Sequence, residues 1–204
     1  MSTKIIFKQM NKLTFATNNT HKVIEVRSIL GNNFSILSLK EAGINIDIPE
    51  PYDTLEENAR EKANVINKLT HDDCFAEDTG LEVEALNGAP GVKSARYAGE
   101  NRSFENNIDK LLFNLENKEN RNAQFRTVIC LITNGVEKLF EGVCKGTIIA
   151  ERKGSSGFGY DAIFMPDGAD KTFAEMSLND KNKFSHRKKA VEKLTTFLKL
   201  KEAD

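Results

Sequence analysis

A chain of 204 residues is long enough to bury a sizeable core in one α/β domain. Its 29 lysines and arginines against 30 aspartates and glutamates give a formal net charge of −1, without the broad basic excess of a general polyanion or nucleic-acid binder. No apolar run approaches the roughly 20 residues that span a bilayer, no signal-peptide hydrophobic region opens the chain, and Cys74, Cys130 and Cys144 form neither a CxxC pair nor an even disulfide framework. A soluble, cytoplasmic protein with reduced and mostly buried thiols is expected.

Residues 1–11 are polar apart from Ile5, Ile6 and Phe7, and read as a loose N-terminal extension. Leu13 to Thr17 then reads as a short buried strand. The polar turn Asn18-Asn19-Thr20-His21-Lys22 follows, and Val23, Val26, Ile29 and Leu30 recur at helical spacing. A turn feeding a helix start offers free backbone N–H groups and the positive end of the macrodipole, a ready anion site to which Lys22 adds a full charge. An amide-rich cap with a solvated lysine accounts for the same residues. Ser35 to Leu39 is a second strand, and residues 43–53 form an acidic, proline-containing loop with Glu50 between Pro49 and Pro51. Thr54 and Glu57 have capping-box spacing before a helix whose apolar face is Leu55, Ala59, Ala63, Ile66 and Leu69. The box explains Glu57 without chemistry; Glu50 is either a solvated loop acid or a metal ligand.

A strand beginning near Phe75 is expected to end at Glu77 and Asp78. Because successive strand side chains point to opposite faces, these two acids need not share a site. Mg²⁺ takes one or two protein carboxylates alongside phosphate and water, so one acid would suit a metal while the other polarises water. Asp78-Thr79-Gly80 equally fits an ordinary turn. Asn87 to Gly91 is a turn by composition, and Arg96 beyond it offers a guanidinium fork to phosphate or to a surface carboxylate. Phe104, Ile108, Leu111, Leu112 and Leu115 form one helix face that core packing explains. Residues 123–134 and 136–150 read as two long antiparallel strands joined at Asn134-Gly135.

The loop Gly154 to Asp161 carries Phe158 and Tyr160, on whose rings a purine would stack, and Asp161, which would read the edge of the base. It lacks GxGxxG order, and no GxxxxGK[ST] loop occurs in the chain. A final helical element from about Leu178 to the carboxyl terminus carries Phe184, Val191, Leu194 and Leu198 as an apolar stripe. Lys181, Ser185, His186, Arg187, Lys188 and Lys189 crowd its first half as a ligand-facing group or a solvated basic face. On residues alone, a nucleotide hydrolase, a non-catalytic purine nucleotide sensor and a small nucleic-acid-binding module all stay open.

Four segments in order, ATNNTHKVIEV, EENAREKA with AEDTGLEVEALNGAPGVKSARYAGE, GSSGFGYDAIF and SLNDKNKFSHRKKA, resemble the inosine triphosphate pyrophosphatase family, across almost the whole chain from Leu13. The resemblance implies Mg²⁺-dependent hydrolysis of inosine, deoxyinosine or xanthosine triphosphate to the monophosphate and pyrophosphate. It implies that Thr17, Asn18, Asn19 and Lys22 cradle the triphosphate, with Thr20, His21 and Thr79 among the substrate-contacting residues. Asp78 would be general base and metal ligand, and Glu50 a second ligand. Phe158, Gly159, Tyr160 and Asp161 would hold base and sugar, and Lys181, His186 and Arg187 would complete the pocket. The implied fold is an elongated mixed α/β sheet with flanking helices in two lobes around a central nucleotide cleft, one domain over residues 1–204, assembled as a homodimer.

Overall fold

A computed structural model describes residues 11–31 and 34–201. The expected N-terminal extension lies outside the described residues except for Asn11, which opens the first strand. That strand, β1 (Asn11–Phe15), leads through α1 (Thr20–Leu30) to β2 (Phe34–Ser38), which pairs parallel with β1 in the register Leu13↔Ile36. Asn19 caps α1, its side chain accepting the Lys22 N–H at 3.2 Å. The expected face of α1 is buried at Val23, Val26 and Leu30.

α2 (Leu55–Thr70) starts at Thr54, whose hydroxyl accepts the Glu57 N–H at 3.2 Å and donates to the Glu57 carboxylate at 2.7 Å. Leu55, Ala59, Ala63 and Ile66 are buried as expected, but Leu69 is 55% exposed in the last turn, beside the left-handed cap at His71. The buried stripe runs instead through Asn58 and Lys62.

β3 (Cys74–Val83) corrects the largest local expectation. It does not end at the acids: Asp78-Thr79-Gly80 continues the strand, paired residue for residue with β5 (Asn122–Thr133) from Cys74↔Ile132 to Val83↔Ala123. Gly80 is required by proximity, since a Cβ there would lie 2.7 Å from the Gly91 carbonyl oxygen of β4 (Pro90–Gly91). β5 turns into β6 (Val136–Ile148) through Asn134 and Gly135, with φ of 50° and 73°, the primed turn that the dipeptide favours. α3 (Phe104–Asn114) precedes this hairpin, and β7 (Phe164–Pro166) pairs with the end of β6.

The final element is two helices, α4 (Leu178–Phe184) and α5 (His186–Lys201). Ser185 between them has ψ of 126°, off the helical value, and its hydroxyl accepts the Lys188 N–H at 3.2 Å.

The seven strands of the described residues join one mixed sheet, ordered β2-β1-β3-β5-β6-β7 with β4 on β3. α1 and α5 bury one core against it, around Phe15 stacked on Phe75 at 4.4 Å. α2 buries a second with Cys74, Ala76 and Cys130, while a third gathers Leu111, Phe125, Tyr160 and Phe164 around the other end of β5 and β6. All three cysteines are buried and free, and burial pushes the Cys74 and Cys130 thiols up to about 12. α5 meets β6 at Gly142, where a Cβ would lie 2.0 Å from the His186 carbonyl oxygen. Among the described residues no helix is long and apolar enough to cross a membrane.

Candidate functional site

Alternation along β3 sends Glu77 and Asp78 to opposite faces. Glu77 meets α5 and α1, accepting from Arg187 Nε at 2.9 Å and Nη2 at 2.8 Å, with Lys22 Nζ 3.2 Å away. Asp78 meets α2, where Lys62 Nζ donates to its Oδ1 at 2.8 Å and to Glu50 Oε1 at 2.6 Å. Asn58 Nδ2 approaches the other Asp78 oxygen at 3.5 Å, and the Asn58 amide also holds both backbone groups of Tyr52 at 3.0 Å. Arg96 supports Glu50 from the far side, donating to its carbonyl at 3.0 Å, so its guanidinium serves the loop rather than a remote surface pair.

These contacts decide the protonation of the cluster. Burial pushes the Asp78 carboxyl above its ordinary range and Glu50 pushes it further, against the pull of Lys62 and Lys22. Burial acts on Glu50 in the same sense, yet Lys62, Lys22 and Arg96 hold it down at about 2. Lys62 stays charged because Asp78 and Glu50 outweigh its own burial.

A second network lies across the sheet. Glu25 of α1 accepts from Lys181 at 2.7 Å and from Arg187; Lys181 also donates to Asp161 at 2.6 Å. The basic group of the last helices, open between a ligand-facing and a solvated reading, is divided: Lys181, His186 and Arg187 are buried, whereas Lys189 is exposed. Despite burial, Arg187 and Lys22 hold Glu77 well below the usual carboxylate range. Burial drives His186 well below the ordinary histidine value and Arg187 and Lys181 add to it, leaving a neutral imidazole whose Nδ1 has no hydrogen-bond partner among the described residues. Its ring stacks on Phe125 at 4.7 Å.

A cavity joins the two networks, lined by Lys22, Glu50 and Asp78 and by Phe125, Phe158 and His186, with Asn19, Thr79, Gly159, Tyr160, Asp161, Lys181 and Arg187 also on its wall. Thr17, Asn18, Thr20 and His21 do not line it; with Asn19, Lys22, Glu50, Lys62 and Arg102 they border an adjoining opening. Some of these polar groups already serve the fold. Asn18 Oδ1 accepts the Lys40 N–H, Thr17 Oγ1 accepts the Asn19 N–H, and the Tyr160 hydroxyl donates to the Ser94 carbonyl. Of the first amides of α1, those of Thr20 and His21 have no partner among the described residues, since Asn19 takes the N–H groups of Lys22 and Val23.

No group of three or more His, Cys, Asp or Glu side chains converges as a metal cage among the described residues. Glu50 and Asp78, drawn together by one lysine, are the two-carboxylate set that fits Mg²⁺ when phosphate and water supply the remaining oxygens.

Sequence reasoning missed Lys62, Asn58, Glu25 and Phe104. Asn58 and Lys62 sit at the spacing of the α2 buried stripe, three and seven residues after Leu55, and that position is the available signal. Phe104 was read as core but is 39% exposed and lines the cavity. Nothing local marks Glu25, whose partners are 156 and 162 residues away.

The sequence matches the Ham1 family over residues 13–197. A dITP/XTP pyrophosphatase of Flavobacterium psychrophilum is 53% identical over 188 residues, covering 92% of this chain and 99% of that one. Among solved structures, the Ham1 protein of Staphylococcus aureus superposes with a TM-score of 0.85 at 40% identity over 94% of this chain and all of that one. A HAM1 protein from Coxiella burnetii gives 0.85 at 37% identity, covering 93% and 99%.

Proposed function

This chain belongs to the Ham1 family, and from that premise we propose that it hydrolyses non-standard purine nucleoside triphosphates, inosine, deoxyinosine and xanthosine triphosphate, to the monophosphate and pyrophosphate. The observation that carries the reading is the single cavity with charged groups at Lys22, Glu50 and Asp78 and rings at Phe158 and His186. A triphosphate and a purine differ in the same way, one charged and one an aromatic ring.

Water attacks the α-phosphorus, and pyrophosphate leaves. Asp78 orients this water and takes its proton, a role suited to a carboxyl that burial has raised. The α1 turn, with Asn19 and the free amides of Thr20 and His21, receives phosphate oxygens, and Lys22 and Lys181 offset the charge that develops on them. Glu50 and Asp78 would hold Mg²⁺, which when bound neutralises phosphate charge. Lys62 keeps both carboxylates turned to one point. Beyond the charged groups, the purine stacks on Phe158, while His186 and Arg187, which line the cavity beside it, favour a 6-oxo purine over the 6-amino group of adenine. One domain with two lobes around this cleft, a homodimeric assembly, cytoplasmic location and no nucleic-acid partner belong to the same proposal.

The test is a panel of nucleoside triphosphates with and without Mg²⁺, reading pyrophosphate and orthophosphate separately. Pyrophosphate from inosine and xanthosine triphosphates well above that from ATP and GTP, and only with Mg²⁺, is the expected result. Orthophosphate as the first product, or no turnover of any inosine nucleotide, overturns it.

A further inference from the structure

The His21 imidazole lies flat on the Phe158 ring, with centroids 4.9 Å apart and planes 17° apart. Phe104 closes on this pair, 6.1 Å from Phe158 and 6.5 Å from His21. The three rings come from separate elements: the first turn of α1, the first residue of α3 and the loop before β7. They stand outside the three buried cores, for His21 and Phe104 are exposed and Phe158 is half-buried.

At 4.9 Å the His21–Phe158 pair leaves no layer for a base, since a ring inserted between two others needs about 7 Å, two van der Waals spacings. The two residues also border different spaces. Phe158 lines the deep cavity and His21 does not, while His21 lines the outer opening beside Lys22 and Phe158 does not. The Phe158 ring is thus a partition, with His21 stacked on it at the outer opening and Lys181 Nζ and Arg187 Cζ over it at 5.2 and 5.7 Å, so a purine meets the ring where these two cations give way.

The backbone of this loop is secured by the Phe158 N–H on Asp161 at 3.0 Å and the Tyr160 hydroxyl on Ser94 at 2.9 Å. Neither contact fixes the rotation of the Phe158 side chain. His21 stacks along one whole side of it.

We infer that His21 is a positioning residue for base recognition, holding Phe158 at the angle at which its inner face meets the purine. Because His21 shares a helical turn with Asn19 and Lys22, the same residue ties the base seat to the triphosphate seat. The inference rests on the proposed role of Phe158 as the purine seat.

The experiment compares wild type, His21→Ala, His21→Phe, Phe158→Ala and the double variant His21→Ala/Phe158→Ala, each checked for an unchanged melting transition. KM and kcat are read for inosine triphosphate, with inhibition by pyrophosphate, which has no base, as the control. Loss of one ring contact is expected to raise KM about 2- to 10-fold with kcat nearly unchanged. His21→Phe should restore KM, pyrophosphate inhibition should stay at the wild-type level, and His21→Ala should add nothing in the Phe158→Ala background. Equal damage from Ala and Phe, additive damage in the double variant, or pyrophosphate inhibition weakened in step with KM overturns the inference and returns His21 to the phosphate turn. Wild type that releases no pyrophosphate from inosine triphosphate fails the underlying function instead, so the two failures are separate readings.

Discussion

Glu77 and Asp78 are adjacent in sequence and belong to opposite kinds of charge network. Around Glu77 the carboxylates of Glu25, Glu77 and Asp161 meet Arg187, Lys181 and Lys22, and nearly all of these groups are buried. Around Asp78 one buried lysine serves two carboxylates, with Arg96 touching only the outer one, and Glu50 keeps 22% of its side chain open. The first network is matched charge for charge and has nothing left to offer a ligand from Glu77. In the second, Asp78 shares its one lysine with Glu50, the condition in which a carboxylate still has lone pairs for a metal ion or a water. On the proposed chemistry, reactivity follows incomplete pairing, and one step along a strand is enough to change it.

Asp78→Asn should have the largest effect on turnover, lowering kcat by about 10²- to 10⁴-fold while the melting transition stays near wild type. A magnesium titration separates loss of the proton acceptor from loss of a ligand; activity regained at saturating Mg²⁺ would remove Asp78 from the base role. Glu77→Gln should do the reverse, costing about 1.5–3 kcal/mol of stability in urea unfolding because buried Arg187 keeps only Glu25 as a charged partner. If the two variants destabilise equally, the division between the networks is wrong.

Lys22 touches both networks, pairing with Glu77 and lowering the pKa of Glu50. Lys22→Ala should raise KM for all nucleoside triphosphates by one common factor and weaken pyrophosphate inhibition by the same factor; a base-dependent change would place Lys22 elsewhere. The smallest effect concerns pH. His186 is neutral in the fold with a pKa well below 6.5, so the unfolded chain binds the extra proton first as pH falls through about 6.5, and stability declines from there downward. Glu77, with a depressed pKa, keeps its contribution above about pH 4.3 and loses it only as pH drops through its lower folded value. Thermal melts of His186→Phe between pH 7 and 5 should therefore be flatter than those of wild type.

Much of this was legible in the residues. The α1 turn, the α2 cap, the Asn134-Gly135 hairpin and the order of the motif segments are local signals, and local chemistry produced them. What the sequence hid is nonlocal. Asp78-Thr79-Gly80 has the composition of a turn, and only the approach of Gly91 and the pairing with β5 keep it extended. Lys62 and Glu25 look like solvated helix charges because burial of such residues is the exception, and their partners lie on other elements. Ser185 breaks the last helix through its own backbone, a break that the apolar stripe across it does not announce. Phe104 fits a helical face and yet stands outside the core, because its neighbours are the rings of two distant segments.

Gly142 does not itself line the cavity, but it is the floor on which α5 rests. The first residue of that helix is His186 and the second is Arg187, so the clearance between a bare Cα on β6 and the His186 carbonyl works as a depth gauge for both side chains. A single added methyl would jack up the helix start, drawing the imidazole back from the cavity and stretching the Arg187 clasp on Glu77. The seating of these two side chains is in this sense calibrated by the thickness of a strand that has no side chain at the point of contact.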